Sequence, residues 1–158
     1  MSGRVPNGRE SEQPVAGRDP QPSLSAAQVV AEAMAAYRRG DLDALATLVH
    51  PEAEIEMLLL GGEPARGPEG LHDALAAARE GIHRPTGSRL EAVADDAAMM
   101  IGRIQNMDAR GAISDRTAVW LTVLRDGKLW RTRVLTAETD VPASYEELTG
   151  RPPGRTPR

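Results

Sequence analysis

Apolar residues recur at helical spacing in three segments of the first half of the chain. The first segment starts at Ser25, which can form a capping box with Gln28, and stops at Gly40, a residue that tolerates the left-handed conformation of a helix C-cap. Asp41 is placed to cap a second, short segment that carries three leucines. Pro68 suits the first turn of a helix and opens the third segment. The pattern therefore predicts three helices in the N-terminal half.

The remaining apolar segments are typical of strands. They predict strands at about 53–60, 88–108 with a break at Asp95-Asp96, 114–125 and 128–138. Between the last two, Asp126-Gly127 accepts the positive φ that a two-residue turn demands, which indicates a hairpin. Helices followed by an antiparallel meander are the α+β pattern, so we expect a mixed domain of this class.

The two ends of the chain differ from its middle in composition. Residues 1–22 hold Pro, Gly, Ser, Arg and Glu with almost no apolar residue, so they cannot bury enough surface to offset the entropy of ordering. The C-terminal residues are proline-rich and basic. We expect a disordered leader over 1–22, one domain over 23–140, and a mostly disordered extension over 141–158.

Composition narrows the classes of function. The 158-residue chain has no cysteine, which excludes disulfides and thiolate metal sites and fits a cytoplasmic location. Its net charge of −4 argues against a nucleic-acid partner. No apolar run approaches the roughly 20 residues that span a bilayer, so we expect no membrane partner. Phenylalanine is absent, so an aromatic pocket wall is expected to use the two tryptophans, Trp120 and Trp130.

Four short sequences share their order and spacing with a known family. They are RGDLDAL at Arg39–Leu45, HPEAEI at His50–Ile55, GPEGL at Gly67–Leu71 and RDGKL at Arg125–Leu129. Over about residues 24–140 they resemble the landmarks of NTF2-like domains, of the SnoaL-like kind. The resemblance implies a curved antiparallel sheet wrapped around three helices, a cone with a mostly apolar pocket, and commonly a homodimer. It implies no single activity.

Two enzyme branches of this family have recognisable site residues. In ketosteroid isomerases, the resemblance places a tyrosine donor and an aspartate base where this chain has Ala33 and Met57. In limonene-epoxide-hydrolase-like members, it places two carboxylates where this chain has Gln105 and Thr132. None of these side chains replaces the missing proton-transfer group near neutral pH, so the resemblance excludes both mechanisms.

Strand parity, in the register that the resemblance implies, predicts which side chains line the pocket. Two inward cations, Arg103 and Arg116, are candidate catalytic handles for a carboxylate, phenolate or polarised carbonyl. The alternative is that they pair with Asp108, Asp115 or Glu138 at the pocket mouth. The predicted ligand-binding residues are Met57, Ile101, Gln105, Trp120, Trp130 and Thr132.

Histidine and glutamate are the remaining candidates for acid–base chemistry. His72 lies beside the inward face of the third helix and is the candidate base near neutral pH, with a solvated helix flank as the alternative. The histidines have no metal-ligand spacing, so we expect no metal and no cofactor. Glu54 and Glu56 alternate with Ile55 and Met57, so they are expected to face away from the pocket.

Together these features favour a SnoaL-like enzyme of the isomerase, cyclase or dehydratase type, acting on a small hydrophobic, oxygen-bearing molecule in bacterial secondary metabolism. The alternative is a non-catalytic ligand-binding or dimerisation module of the same fold, which the missing carboxylates support. We also expect a homodimer through the outer sheet face. Val119, Leu121 and Val123 make that face apolar, and no predicted helix covers it.

Overall fold

The computed structural model of the protein describes residues 24–57, 63–80, 83–107 and 109–154, so the predicted leader at 1–22 lies outside the described residues. Three helices come first: α1 (Ala26–Arg39), α2 (Leu42–Thr47) and α3 (Gly67–Glu80). The strands are β1 (Val49–Ile55), β2 (Ala65–Arg66), β3 (His83–Ala94), β4 (Ala97–Met107), β5 (Ile113–Arg125) and β6 (Lys128–Leu135). A 3-10 turn at Glu138–Asp140 then leads into α4 (Val141–Thr149). The predicted α+β class is confirmed.

The strands form one curved, open sheet in the order β2-β1-β6-β5-β4-β3. β3 to β6 make the predicted antiparallel meander, whereas β1 runs parallel to β6 and antiparallel to β2. The inner face of the sheet packs against α1, α2 and α3, and the outer face packs against α4. Each face therefore has its own apolar cluster. The one on the outer face, called the outer cluster, includes Val119, Leu121 and Val123 of β5 and Val141 and Tyr145 of α4.

The predicted capping and turn signals are present in the structure. Ser25 Oγ accepts a hydrogen bond from the backbone N–H of Gln28 at 3.2 Å, and Gln28 Oε1 accepts one from the N–H of Ser25 at 2.8 Å. Gly40 ends α1 with a φ of 75°. In the β5–β6 hairpin, Asp126 and Gly127 have φ values of 54° and 73°. These features depend on a few neighbouring residues, which is why the sequence predicts them.

The prediction that residues 141–158 form a mostly disordered extension is corrected, because Val141–Thr149 form the helix α4. In α4, Val141, Tyr145 and Leu148 follow one another at i, i+4 and i+7, which places them on one helix face. That face packs on the outer side of the sheet, where Val141 and Tyr145 are 4% and 1% exposed. Gly150, with a φ of 72°, supplies the C-cap. Prolines flank this short apolar helix face, so its helical spacing was not recognised in the sequence.

One polar cluster attaches α4 to the turn between β3 and β4. The hydroxyl of Tyr145 donates a hydrogen bond to Asp96 Oδ1 at 2.7 Å, and Arg151 pairs with the other oxygen of the same carboxylate. The Arg151 guanidinium also lies 5.9 Å from the centroid of the Tyr145 ring. Burial raises the pKa of Tyr145 above its ordinary value, and the hydrogen bond to Asp96 raises this pKa further.

We expect Tyr145→Phe to lower the free energy of unfolding by about 1.5 kcal/mol at neutral pH, because the variant loses a hydrogen bond to a charged acceptor. Since the pKa of Tyr145 is higher in the folded than in the unfolded state, this stabilisation is complete below the ordinary tyrosine pKa near 10 and is lost as the pH rises through the folded-state pKa. Urea unfolding at a series of pH values measures both effects. A stability difference between wild type and variant that stays constant through the alkaline range would contradict the assignment.

Candidate functional site

A cavity of about 150 Å³ lies between the three N-terminal helices and the inner face of the sheet. Its lining is mostly apolar, with Met100, Trp120 and Leu129 on the sheet side. An apolar cavity of about 150 Å³ in another protein binds benzene, so the space here suits a group about the size of one ring. Four polar side chains also line it: Tyr37, Glu56, Thr122 and Thr132.

The α1 wall of the cavity follows from helical spacing. Val30, Ala33, Met34 and Tyr37 share one face of α1, and all four line the cavity. Tyr37 is therefore an aromatic residue of the wall, so the expectation that only tryptophans supply such a wall is wrong. The sequence did indicate the inward face of α1, but a Tyr on that face is equally consistent with ordinary core packing.

Two threonine hydroxyls form a small polar patch where the sheet lines the cavity. Thr122 of β5 and Thr132 of β6 are partners in the strand register, and their Oγ1 atoms lie 3.0 Å apart. One hydroxyl must donate to the other, so the accepting hydroxyl keeps its own hydrogen. Among the described residues, no other polar atom bonds either hydroxyl. The pair therefore presents a hydrogen-bond donor to whatever occupies the cavity.

Glu56 is the ionisable carboxylic acid among the lining residues of the cavity. Its backbone N–H donates to the carbonyl oxygen of Thr132 at 2.9 Å, so the backbones of the two residues are neighbours. The side chain is half-buried, and in the described part of the chain no group donates a hydrogen bond to its carboxylate. A half-buried carboxylate without such donors is suited to accept a proton or to bind a donor on a ligand.

Glu56 borders both sides of the sheet, because it lines the apolar cavity and also a second, polar pocket that it shares with Glu54 and Arg131. β1 ends at Ile55, so strict alternation no longer holds at the next two residues, and both Glu56 and Met57 line the cavity. Glu54 lies within β1 and does face outward, where its Oε1 is 2.8 Å from Nη1 of Arg66. Both glutamates line the second pocket, and Glu56 also borders the cavity because it follows the end of β1.

Three predicted ligand-binding residues line the cavity, as strand parity indicated. They are Met57, Trp120 and Thr132. Trp120 and Thr132 lie on β5 and β6, whose antiparallel pairing in the meander was predicted. Their roles in binding stay predictions, since their position shows only that they border the space.

The prediction of which β4 side chains face the cavity is wrong, because the inward positions are shifted by one residue. Met100 is the register partner of Trp120 and lines the cavity, whereas Ile101 packs in the outer cluster. Arg103 and Gln105 share the face of Ile101, so neither reaches the cavity. Arg103 is 68% exposed, and its Nε lies 3.5 Å from Asp115 Oδ2, which is the pairing alternative. Met99, Met100 and Ile101 are all apolar because both faces of β4 are covered, so the pattern does not distinguish the faces.

Arg116 and Trp130 also lie outside the cavity lining. Arg116 is exposed at the end of β5 that extends beyond the buried core. At Trp130 the strand register shifts, because Val123 pairs with Arg131 while Leu124 pairs with Leu129. This bulge turns Trp130 toward the outer cluster and interrupts the alternation on which the prediction depended.

Trp130 is instead the centre of a cation–π cluster. The guanidinium carbons of Arg125 and Arg131 lie 4.0 and 4.1 Å from the centroid of its ring. Arg131 also donates a hydrogen bond at 3.0 Å to the carbonyl oxygen of Leu148 in α4. The second tryptophan therefore has a structural role in the outer layer.

His72 is on the flank of α3 and is not among the residues that line the cavity. Its Nε2 lies 3.4 Å from Asp43 Oδ1, and its Nδ1 lies 3.6 Å from Asp73 Oδ1. The imidazole is 38% exposed. This is the solvated helix flank that the sequence offered as the alternative.

Metal ligation and membrane insertion each require a recognisable arrangement of residues. Within 24–57, 63–80, 83–107 and 109–154, no group of three or more His, Cys, Asp or Glu side chains is arranged to hold a metal ion. None of the helices in these ranges is both long and apolar enough to cross a bilayer.

The model of the SnoaL-like domain family matches residues 30–132, which is more than half of the chain. The chain belongs to the SnoaL-like family. Among curated proteins, none matches the sequence. Within this SnoaL-like domain lie all four polar residues of the cavity, whereas α4 begins after the matched residues end.

Solved structures share the fold of this SnoaL-like domain. An NTF2-like protein from Burkholderia thailandensis is 20% identical with a TM-score of 0.62, over 77% of this chain and 96% of its own. A putative polyketide cyclase from Pseudomonas putida is 16% identical with a TM-score of 0.57, over 74% and 95%. A Mycobacterium tuberculosis protein in complex with estradiol-17beta-hemisuccinate is 13% identical with a TM-score of 0.57, over 73% and 97%. At these identities the likeness shows the fold alone.

Proposed function

We propose that this SnoaL-like protein binds a small apolar molecule bearing a carbonyl oxygen in its cavity and acts on it by proton transfer, without a cofactor. The observation that carries the proposal is that a half-buried glutamate, Glu56, and the hydroxyl pair of Thr122 and Thr132 line the same apolar cavity. Structural neighbours described as a putative polyketide cyclase and as a steroid complex support a ligand of this general kind.

The chemistry assigns a separate role to each polar group. The carboxylate of Glu56 accepts a proton from the carbon next to the ligand carbonyl, and the electron pair of that C–H bond moves toward the carbonyl oxygen. The free hydroxyl hydrogen of the Thr122/Thr132 pair donates to this oxygen as its negative charge develops. The apolar lining excludes water, which strengthens this hydrogen bond.

The resulting enolate leads to any of the three predicted reaction types. Return of the proton from Glu56 to a different carbon completes an isomerisation. Attack of the carbanion on a second carbonyl of the same molecule, followed by protonation of the new alkoxide, completes a cyclisation. Departure of a hydroxyl group with the abstracted proton, as water, completes a dehydration. The second candidate function is binding without turnover, which Thr132 favours, because it lines the cavity at a position where the family resemblance implies a carboxylate.

Calorimetry with cyclohexanone and methylcyclohexane tests the binding half of the proposal. Replacing both Thr122 and Thr132 with valine keeps the shape of the side chains but removes both hydroxyls, so we expect cyclohexanone to bind about 2- to 10-fold more weakly, as the loss of one hydrogen bond predicts. Methylcyclohexane needs no donor, so its affinity should be unchanged. Thr117→Val, on the exposed part of β5, is the matched control. Equal losses for both ligands, or no loss for cyclohexanone, would show that the hydroxyl pair does not recognise the ligand oxygen.

A further inference from the structure

The second pocket, of about 280 Å³, takes most of its lining from β1, β6 and α4. Unlike the apolar cavity, it is lined by charged side chains of both signs, which are Glu54, Glu56, Arg131, Arg133 and Glu147. Glu147 belongs to α4, beyond the residues that the family match covers. The pocket is therefore formed by the SnoaL-like domain together with this chain's C-terminal helix.

Two ion pairs already neutralise part of the charge at this pocket. Glu54 Oε1 lies 2.8 Å from Nη1 of Arg66, and Glu147 Oε2 lies 2.5 Å from Nη1 of Arg133. Of the charged lining residues, Arg131 and Glu56 remain, and neither forms an ion pair within the described part of the chain.

Arg131 is held in place by neutral partners. Its Nη1 donates to the carbonyl oxygen of Leu148 at 3.0 Å, and its guanidinium carbon lies 4.1 Å from the centroid of the Trp130 ring. A guanidinium has five N–H donors, so this arrangement leaves most of them unused. Because the side chain is half-buried and has no carboxylate partner in the described ranges, its positive charge is suited to pair with an anion.

Glu56 supplies the opposite charge in the same pocket. Its carboxylate is half-buried and receives no hydrogen bond from the described residues. Arg131 and Glu56 do not pair with each other, so a ligand that bridges them must offer an anion to one and a donor cation to the other. A ligand with a single charge would satisfy one of these side chains and leave the other unpaired.

We infer that the second pocket binds a small zwitterion, whose carboxylate pairs with Arg131 and whose ammonium group pairs with Glu56. The planar guanidinium matches the two oxygens of a carboxylate, and the Glu56 carboxylate accepts hydrogen bonds from an ammonium group. Since a cavity of about 150 Å³ holds a benzene molecule, the pocket has room for an amino acid of a few carbon atoms. The inference does not depend on turnover in the cavity, because binding of the zwitterion requires no proton transfer.

NMR titration of the full chain with glycine, β-alanine and γ-aminobutyrate tests this inference, because these probes differ in the spacing of their two charges. Each probe is compared with the carboxylate and the amine of the same chain length, which for β-alanine are propionate and propylamine. We expect at least one zwitterion to bind about 10-fold more tightly than either of its single-charge counterparts, as one additional hydrogen-bonded ion pair predicts.

Two substitutions test the assignment of the ion pairs. Arg131→Met should weaken binding of that zwitterion about 10-fold and remove its advantage over the amine, whereas Glu56→Gln should remove its advantage over the carboxylate. Arg38→Met and Glu69→Gln, at exposed positions outside the pocket, are the matched controls and should bind as wild type does. Arg131 does not line the cavity, so an effect of Arg131→Met locates the ligand in the second pocket.

A wild-type protein that binds none of the zwitterions in preference to its counterparts would overturn the inference. Zwitterion binding that either substitution leaves at wild-type strength, or that falls equally in the matched control, would also overturn it. If circular dichroism shows that Arg131→Met does not fold, Arg131→Lys takes its place, since it keeps the charge but loses the paired donors, and unchanged affinity in that variant counts against the inference. Failure of proton transfer in the cavity leaves the result unaffected, because the titration measures binding alone.

Discussion

Replacing Glu56 with glutamine is expected to lower the rate of proton abstraction from a bound ketone by about 10²- to 10⁴-fold, the range for loss of a general base. Glutamine keeps the size of the side chain, so the cavity and its affinity for the ketone should change little. The expectation rests on Glu56 as a lining residue of the cavity whose carboxylate receives no hydrogen bond from the described residues. A carboxylate to which none of the described residues donates is available to the ligand.

Deuterium exchange makes this measurement possible before the natural substrate is known. Cyclohexanone is incubated with the protein in heavy water, and NMR follows the loss of the protons next to its carbonyl. Glu54→Gln is the matched control, because Glu54 lies on the opposite face and pairs with Arg66. Exchange that survives Glu56→Gln, or that falls equally in the control, would remove Glu56 as the base. Binding of the ketone by wild type without any exchange would favour the non-catalytic function.

The second large effect concerns the outer cluster. Leu121→Ala is expected to lower the free energy of unfolding by about 2 to 5 kcal/mol, because truncation of a sealed leucine removes buried apolar surface and leaves a cavity. The side chain is 0% exposed beneath α4. Leu24→Ala removes the same atoms from a side chain that is 46% exposed, so it should cost less than about 1 kcal/mol.

Urea unfolding of both variants gives the comparison directly. The Leu121 result also tests whether α4 covers the sheet in solution. On an uncovered face the same truncation would cost about as much as the control substitution, and equal losses for the two leucines would contradict the packing of α4 described above.

Local signals in the sequence were sufficient for several elements. The capping box at Ser25, the C-cap at Gly40 and the Asp126-Gly127 turn each depend on the chemistry of two to four neighbouring residues. Helical spacing likewise identified the inward face of α1, because one side of this helix meets the core and the other meets solvent. The order of these elements was enough to predict the α+β class and the meander.

It was harder to predict which face of each strand lies toward the cavity. Alternation identifies the inner face of a strand only when its outer face meets water, and α4 covers the outer face of β4 and β5. Both faces are therefore apolar, and the register borrowed from the family resemblance placed Ile101, Arg103 and Gln105 on the wrong side. The bulge at Trp130 changed the parity again, within a strand that reads as regular.

The sequence by itself therefore determined the class of fold, the three N-terminal helices, the hairpin and the apolar character of the cavity, since these depend on local propensity and spacing. Only the tertiary structure decided which ionisable group borders the cavity. Glu56 lines the cavity because β1 has already ended at Ile55. Arg103 does not line it because Met100, as the partner of Trp120, faces the cavity, and Arg103 lies on the opposite face of β4. Strand ends and strand registers are set by contacts between residues distant in the chain, which a pattern read along one segment does not contain.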